Sequence, residues 1–150
     1  MPEKVVSQIN FEIEQIEQLF ISYADLLNKI NPNLVEVTAI ASVLHSFYNG
    51  IENIFLSVAK GIDENVPKGE QCHKNLLIQM TQHTLKRESV ILDETAQALS
   101  EYLAFRHFYR HSYSFFLKWE EMEHLVRSIR KIWIQLKEEF KIFTKKLSNR

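Results

Sequence analysis

Hydrophobic residues recur along the first thirty positions at alternating intervals of four and three. Residues at this spacing lie on one side of an α-helix, so the pattern predicts a first helix with a single apolar face. Asn31-Pro32 follows the stripe and predicts its end, since proline cannot continue a helix. The predicted inward residues are Ile9, Ile13, Ile16, Phe20, Tyr23, Leu27 and Ile30.

A second helical pattern begins at about Asn33. Its apolar face is broad, which is typical of a helix at the centre of a bundle. Gly61 is the predicted stop, and the segment from Gly61 to Glu70 is rich in residues that favour a loop. The inward residues are Val37, Ile40, Leu44, Phe47, Ile51, Ile54 and Val58.

Three further helices are predicted beyond this loop. A short one holds Leu76, Leu77 and Met80, and the next begins at Asp93, which we interpret as an N-cap. A long last helix carries apolar residues at helical spacing from Trp119 onward, and the sequence contains no strand pattern. We therefore expect an all-α fold, an antiparallel bundle of four to five helices that forms a single domain over residues 1–150.

The amino-acid composition supports a helical fold and indicates a reducing compartment. Three glycines and three prolines occur in 150 residues, and so few turn-forming residues favour few, long elements. The single cysteine, Cys72, cannot form an internal disulfide, which fits a reducing cytoplasm. The sequence shows no secretory leader and no apolar run of membrane-spanning length. We therefore expect a cytoplasmic protein with no membrane partner.

Charge is unevenly distributed although the formal net charge is −1. Residues 1–30 carry five acidic and two basic side chains, whereas residues 127–150 carry eight basic and two acidic ones. A basic C-terminal helix can attract a polyanion. A solvated face with cations near a helix C-terminus explains the same charges, so charge alone does not identify a partner.

The segment FRHFYRHSY, residues 105–113, concentrates two arginines, two histidines and four aromatic rings. On a regular helix, residues four apart lie about 40° from each other and residues five apart about 140°. Arg106 can therefore share a face with Arg110, and His107 with His111. Arg106 and His111 converge only if the helix turns or ends near His111. The following SYSFFLKW interrupts the helical pattern and predicts such an end.

Three interpretations of this segment are open. His107 and His111 have the spacing of metal ligands, but a zinc hydrolase needs a glutamate between them and a third ligand. A di-iron bundle needs two Glu-x-x-His motifs, of which residues 121–124 offer one. We therefore expect no metal site.

The second interpretation is structural: the aromatic rings belong to the core while the charged groups extend to solvent.

The third interpretation is phosphodiester chemistry. A guanidinium is a fixed cation whose fork suits phosphate oxygens, and an imidazole titrates near neutrality. Together they can cleave RNA without a metal. The imidazole removes the proton from a ribose 2′-hydroxyl, and the cation stabilises the charge that grows on the phosphoryl oxygens.

Arg106, His111 and Tyr113 match the Arg-x4-His-x-Tyr motif of HepT-type toxins in the HEPN superfamily. The flanking sequence resembles the same family from His45 onward. Three segments look like successive blocks of a HepT-like subgroup: HSFYNGIENIFLSVAKGID (45–63), VPKGEQCHKNLLIQM (66–80) and LSEYLAFRHFYRHSYSF (99–115).

The resemblance implies an all-helical, dimeric, metal-independent ribonuclease toxin that acts on RNA without a cofactor. Family members are typically encoded beside a nucleotidyltransferase antitoxin, which attaches AMP to the motif tyrosine. On this chain, Arg106 and His111 would be the catalytic pair and Tyr113 the modified residue. We expect both pairs of a two-fold dimer to line one cleft. The rings expected at or beneath that interface are Phe105, Phe108 and Tyr109.

Family members often place an acidic or amide side chain from an earlier helix near the catalytic pair. Asn49 and Glu52 are the candidates here, although both also fit ordinary polar positions. His107 and Arg110 are further supporting candidates in the motif segment. His73 lies in a matching block, where we expect a hydrogen-bonded structural histidine.

The same resemblance is also compatible with an alternative function that involves no catalysis. Some proteins with this fold are non-catalytic partners or substrate-binding subunits of a nucleotidyltransferase. Such a binding module predicts a dimer that forms this complex without cutting RNA.

Overall fold

The computed structural model describes residues 2–150, apart from the side chain of Ser114. Within this range no strand occurs, so the predicted all-α fold is confirmed. A π-helical turn, Ala59–Asp63, extends the third helix, and a 3₁₀ turn, Ser114–Phe116, separates the last two. The described helices are α1 (Pro2–Ser22), α2 (Ala24–Leu27), α3 (Leu34–Val58), α4 (Cys72–Met80), α5 (Asp93–His111) and α6 (Trp119–Ser148).

The four long helices pack in a closed ring. Both α1 and α5 contact α3 and α6, while α4 packs against α3 and α5. The predicted central position of α3 is confirmed, since it also contacts α6 across the bundle. Seven of its apolar side chains are wholly inaccessible to solvent: Ile40, Ala41, Phe47, Ile51, Ile54, Phe55 and Val58.

Two glycines allow α1 to approach α3 and its π-helical extension closely. A Cβ atom on Gly50 would lie 2.8 Å from Cγ1 of Ile16, and one on Gly61 would lie 2.5 Å from Cγ2 of Val5. Both distances are shorter than carbon atoms tolerate, so a larger residue would force the facing side chain or the helices themselves to shift. These glycines serve packing, not a turn.

The predicted first helix is interrupted at Tyr23, where α1 gives way to the short α2. Tyr23 and Ile30, which the pattern places on the inward face, are exposed. Arg127 and Arg130 of α6 donate hydrogen bonds to backbone carbonyls within residues 24–29. Two of the basic residues of the last helix therefore stabilise this turn.

The prediction that the second long helix stops at Gly61 is wrong. The π-helical turn continues it through Asp63, and it ends where Glu64 adopts a left-handed backbone with φ 53°. The carboxylate of Asp63 accepts hydrogen bonds from Nε and Nη2 of Arg87 at 2.7 and 2.8 Å. This contact explains why the helix extends past the glycine.

Arg87 is wholly buried and organises the segment between α4 and α5. Besides binding Asp63, its guanidinium donates to the backbone carbonyls of Gln79, Gln82 and Glu88. A buried arginine needs such a complete set of acceptors, because an unpaired charge is costly away from water. The pair fixes the segment against the end of α3.

The N-terminus of α5 also differs from the prediction. Asp93 is the first helical residue, and Leu92 occupies the N-cap position without a side-chain cap. The buried carboxylate of Glu139 on α6 replaces the cap. It accepts hydrogen bonds from the N–H of Leu92 at 2.7 Å and from the hydroxyl of Thr95 at 2.6 Å. A negative charge there also suits the positive end of the helix dipole.

Candidate functional site

The segment FRHFYRHSY forms the last turns of α5 and the residues just beyond it. The helix is regular through His111, and Ser112 then adopts an extended backbone with φ −122° and ψ 156°. The predicted helix end is therefore confirmed. The ring of Phe105 is buried and stacks on Tyr109, with centroids 6.0 Å apart. These two rings attach the end of α5 to the core.

Arg106 lies against α3. Its Nε–H donates a hydrogen bond to Oδ1 of Asn49 at 3.2 Å. Neither Nη group forms a hydrogen bond or ion pair with the part of the chain that the structure describes. The guanidinium is thus anchored through one edge, while the donors of its other edge remain available to an anion.

Asn49 connects Arg106 to His45, one turn earlier on α3. Asn49 Nδ2 lies 3.1 Å from His45 Nε2. Because Nε of Arg106 can only donate, the Asn49 atom that it contacts must be the oxygen, and the amide nitrogen therefore faces the histidine. His45 Nε2 then accepts, and the ring proton resides on Nδ1. The three residues form one hydrogen-bonded chain.

The surroundings of His45 favour its neutral form. Burial lowers the pKa of His45, and the positive charges of Arg106 and Arg110 lower it further. The ring of Tyr109 packs against the imidazole with a centroid distance of 4.9 Å. Nδ1 is buried and has no hydrogen-bond partner among the described residues. An unpaired buried donor costs about 1–3 kcal/mol, so stability alone does not explain a histidine here.

Glu52, the second candidate on α3, has a different partner. Its Oε2 lies 2.8 Å from Nδ1 of His73 on α4, so His73 is hydrogen-bonded as expected. The buried hydroxyl of Tyr48, also on α3, has no hydrogen-bond partner in the described chain. Burial raises the pKa of Tyr48, and the charge of Glu52 raises it further while Arg106 opposes this. The structure therefore brings Asn49, and not Glu52, to Arg106.

His107 and His111 are exposed and share a face, with ring centroids 4.6 Å apart. Arg106 and Arg110 share another face, beside His45. Because α5 is regular through His111, the directions of Arg106 and His111 differ by about 140°. The helix end comes after His111 and does not turn it toward Arg106. The two side chains form no hydrogen bond with each other in residues 2–150.

The residues beyond α5 expose a group of aromatic rings. The side chain of Tyr113 is 72% exposed and stacks on Phe115, with centroids 5.5 Å apart and planes 5° from parallel. Phe116 and Phe108 are exposed as well. Tyr113 is thus accessible from solvent and does not belong to the core.

The described residues contain no cluster of three or more histidine, cysteine, aspartate or glutamate side chains that could hold a metal ion. In the same range, every helix is too short or too polar to cross a membrane.

Sequence reasoning missed His45, although it opens the segment 45–63. A spacing of four places His45 and Asn49 on one face of α3. The available signal was this shared face of two hydrogen-bonding side chains within a segment that matches the family blocks. Which of the neighbouring helices it faces depends on the tertiary structure.

A protein-family model described as HepT-like protein matches residues 39–147. The match contains His45, Asn49 and the whole motif segment, and it leaves α1 outside. No curated protein and no solved structure matches the chain.

Proposed function

Because the chain belongs to the HepT-like proteins, we propose that it is a metal-independent RNA endonuclease, the toxin of a toxin–antitoxin pair in the cytoplasm. The observation that carries this proposal is the guanidinium of Arg106, which is anchored by Asn49 and keeps its outer donors available. The exposed imidazole of His111 lies at the same helix end. We further propose that residues 1–150 form a single domain without a cofactor.

In the proposed reaction, neutral His111 removes the proton from a ribose 2′-hydroxyl, and the 2′-oxygen attacks the adjacent phosphorus. The bond between phosphorus and the 5′-oxygen breaks, and this oxygen takes a proton from the imidazolium. The products are a 2′,3′-cyclic phosphate and a 5′-hydroxyl. Arg106 stabilises the negative charge on the phosphoryl oxygens. His107 shares the face of His111 and Arg110 that of Arg106, and we propose that both support the attraction of RNA.

We propose that a two-fold homodimer brings two such pairs to one cleft. The different directions of Arg106 and His111 support a site that one chain does not complete. The exposed rings of Phe108, Phe115 and Phe116 support an interface near the motif, since large exposed apolar patches mark contact surfaces. Sedimentation at micromolar concentration tests this, and a strictly monomeric protein contradicts it.

For Tyr113, we propose that a nucleotidyltransferase antitoxin transfers AMP to its hydroxyl. The exposed ring supports access by a second enzyme. The adduct would place a phosphate near Arg106 and Arg110 and occupy the position of the RNA phosphate, so modification would inhibit cleavage.

The decisive experiment is RNA cleavage by the purified protein in the presence of a chelator. His111→Ala should abolish cleavage. Arg106→Ala should lower cleavage by about a hundredfold, and Arg106→Lys should restore only part of it, because lysine lacks the planar fork. His83→Ala is the matched control, since this exposed histidine pairs with Glu88 beyond the opposite end of α5.

Two results contradict the proposal. If the chelator stops cleavage or DNA is cut equally well, the 2′-hydroxyl mechanism is wrong. If the protein binds a nucleotidyltransferase but leaves RNA intact, it is the non-catalytic partner instead.

A further inference from the structure

The motif assigns no role to His45, although this half-buried residue lies near Arg106. Its imidazole is packed against Tyr109 at the junction of α3 and α5, and its Nδ1–H is buried without a partner in the described chain. Its one hydrogen bond goes to Asn49, which in turn binds Arg106. Among the described residues, the hydrogen bond to Asn49 is therefore the one polar contact of His45, and it leads to the guanidinium of Arg106.

The amide of Asn49 can lie in two orientations, and only one of them suits Arg106. With Oδ1 toward α5, it accepts the Nε–H of Arg106. With the amide turned over, its NH₂ group would face that N–H, and two donors would oppose each other. In the first orientation the NH₂ group of Asn49 faces His45 Nε2 at 3.1 Å, so a histidine that accepts there favours the same amide orientation as Arg106 does.

We propose that His45 is a positioning residue of the RNA-cleaving site: it fixes the amide of Asn49, and Asn49 in turn fixes the plane of the Arg106 guanidinium. The catalytic consequence rests on the proposed nuclease function, whereas the hydrogen-bonded chain itself does not. His45 does not touch RNA in this arrangement. It acts only through Asn49.

The arrangement requires neutral His45, because a proton on Nε2 would oppose the NH₂ group of Asn49. The groups that face the imidazole from α5 are the cations Arg106 and Arg110 and the ring of Tyr109. Both cations disfavour a charged imidazole. The nearest carboxylate on α3, that of Glu52, is bound to His73. The surroundings thus keep the acceptor that Asn49 needs.

Kinetics of RNA cleavage test this role with a conservative and a disruptive variant. His45→Gln keeps an acceptor for Asn49 and should retain most of kcat. His45→Leu removes the acceptor and should lower kcat by up to about a hundredfold, with a smaller change in KM, because misplacement of a catalytic group has costs of this order. His83→Leu is the control: it removes an exposed histidine that pairs with Glu88 beyond the other end of α5, away from Arg106.

A double-mutant cycle separates positioning from a general structural effect. Adding His45→Leu to Asn49→Ala should lower kcat no further, since the first residue acts through the second. Additive losses, or a loss in His45→Gln equal to that in His45→Leu, would overturn the proposal. Equal melting temperatures of the variants would verify that the fold is kept.

Nitrogen NMR gives a readout that does not depend on cleavage. Wild-type His45 should show the neutral form with its proton on Nδ1, and the Nε–H signal of Arg106 should be protected from exchange. His45→Leu should lose that protection, and His45→Gln should keep it. Asn49→Asp offers only acceptors, so the proton of His45 should move to Nε2.

The two proposals fail in different ways. If RNA is not cut but these signals are as expected, the nuclease proposal is wrong and the hydrogen-bonded chain stands. If RNA is cut but Arg106 keeps its protection in His45→Leu, the positioning role is wrong.

Discussion

Replacing Arg87 with methionine should destabilise the protein by about 3–5 kcal/mol, because it leaves a buried carboxylate without its cation. Arg87 is wholly buried, and the side chain of its partner Asp63 is only 8% exposed, so water cannot replace the lost bonds. Three backbone carbonyls between residues 79 and 88 lose a donor in addition. Methionine is flexible and apolar, which limits the cavity that remains.

Urea unfolding followed by circular dichroism measures this loss. In a chain of this size it corresponds to a fall in Tm on the order of 10 °C, at about 2–4 °C per kcal/mol. Lys86→Met, an exposed neighbour, should change little. Adding Asp63→Leu to Arg87→Met should recover part of the stability, since no charge is then left unpaired. A loss below about 1 kcal/mol in Arg87→Met would refute the reasoning, because breaking a buried pair costs more than that.

Three other changes have defined outcomes. Gly50→Ala should lower stability by about 1–3 kcal/mol in urea unfolding, because the new Cβ meets Ile16, and Ile16→Ala should make the loss less than additive. Tyr113→Phe should retain RNA cleavage but escape the nucleotidyltransferase, which mass spectrometry detects as the absence of a gain of roughly 329 Da per AMP. Burial raises the pKa of Tyr48 and Tyr102 above the usual 10.0. The stability that these two neutral hydroxyls contribute is therefore fully present below pH 10 and is lost as the pH rises above it. Near pH 11 the native protein should accordingly show less phenolate absorbance than the unfolded protein, by the amount expected for about two tyrosines.

The spacing of apolar residues predicts the four long helices because each helix buries one face, and that face is a local property of the sequence. The helix boundaries that were wrong depend on residues far along the chain. The cap of α5 comes from Glu139, and the turn at Tyr23 is held by arginines of α6. A pattern read within one helix cannot find such partners.

The site residues on α3 likewise could not be chosen from the sequence pattern of one helix. The motif identifies Arg106, but Asn49 and Glu52 lie three apart on α3 and are equivalent by sequence. Three residues correspond to a difference of about 60° around the helix. This difference directs Asn49 toward α5, while Glu52 meets His73 on α4. Choosing between them requires knowing on which side each helix packs.

The first helix lies outside the segment that matches the family, yet it forms one wall of the bundle. Ile9 and Ile16 are buried against the remainder of the chain, and Gly50 of α3 is shaped to admit α1. A chain trimmed to residues 39–147 would expose this face of α3 to water, on the helix that also carries Asn49. The segment that matches the family is thus smaller than the unit that folds. Helix α1 lies outside the match, yet it packs against α3, the helix whose Asn49 holds Arg106 in place.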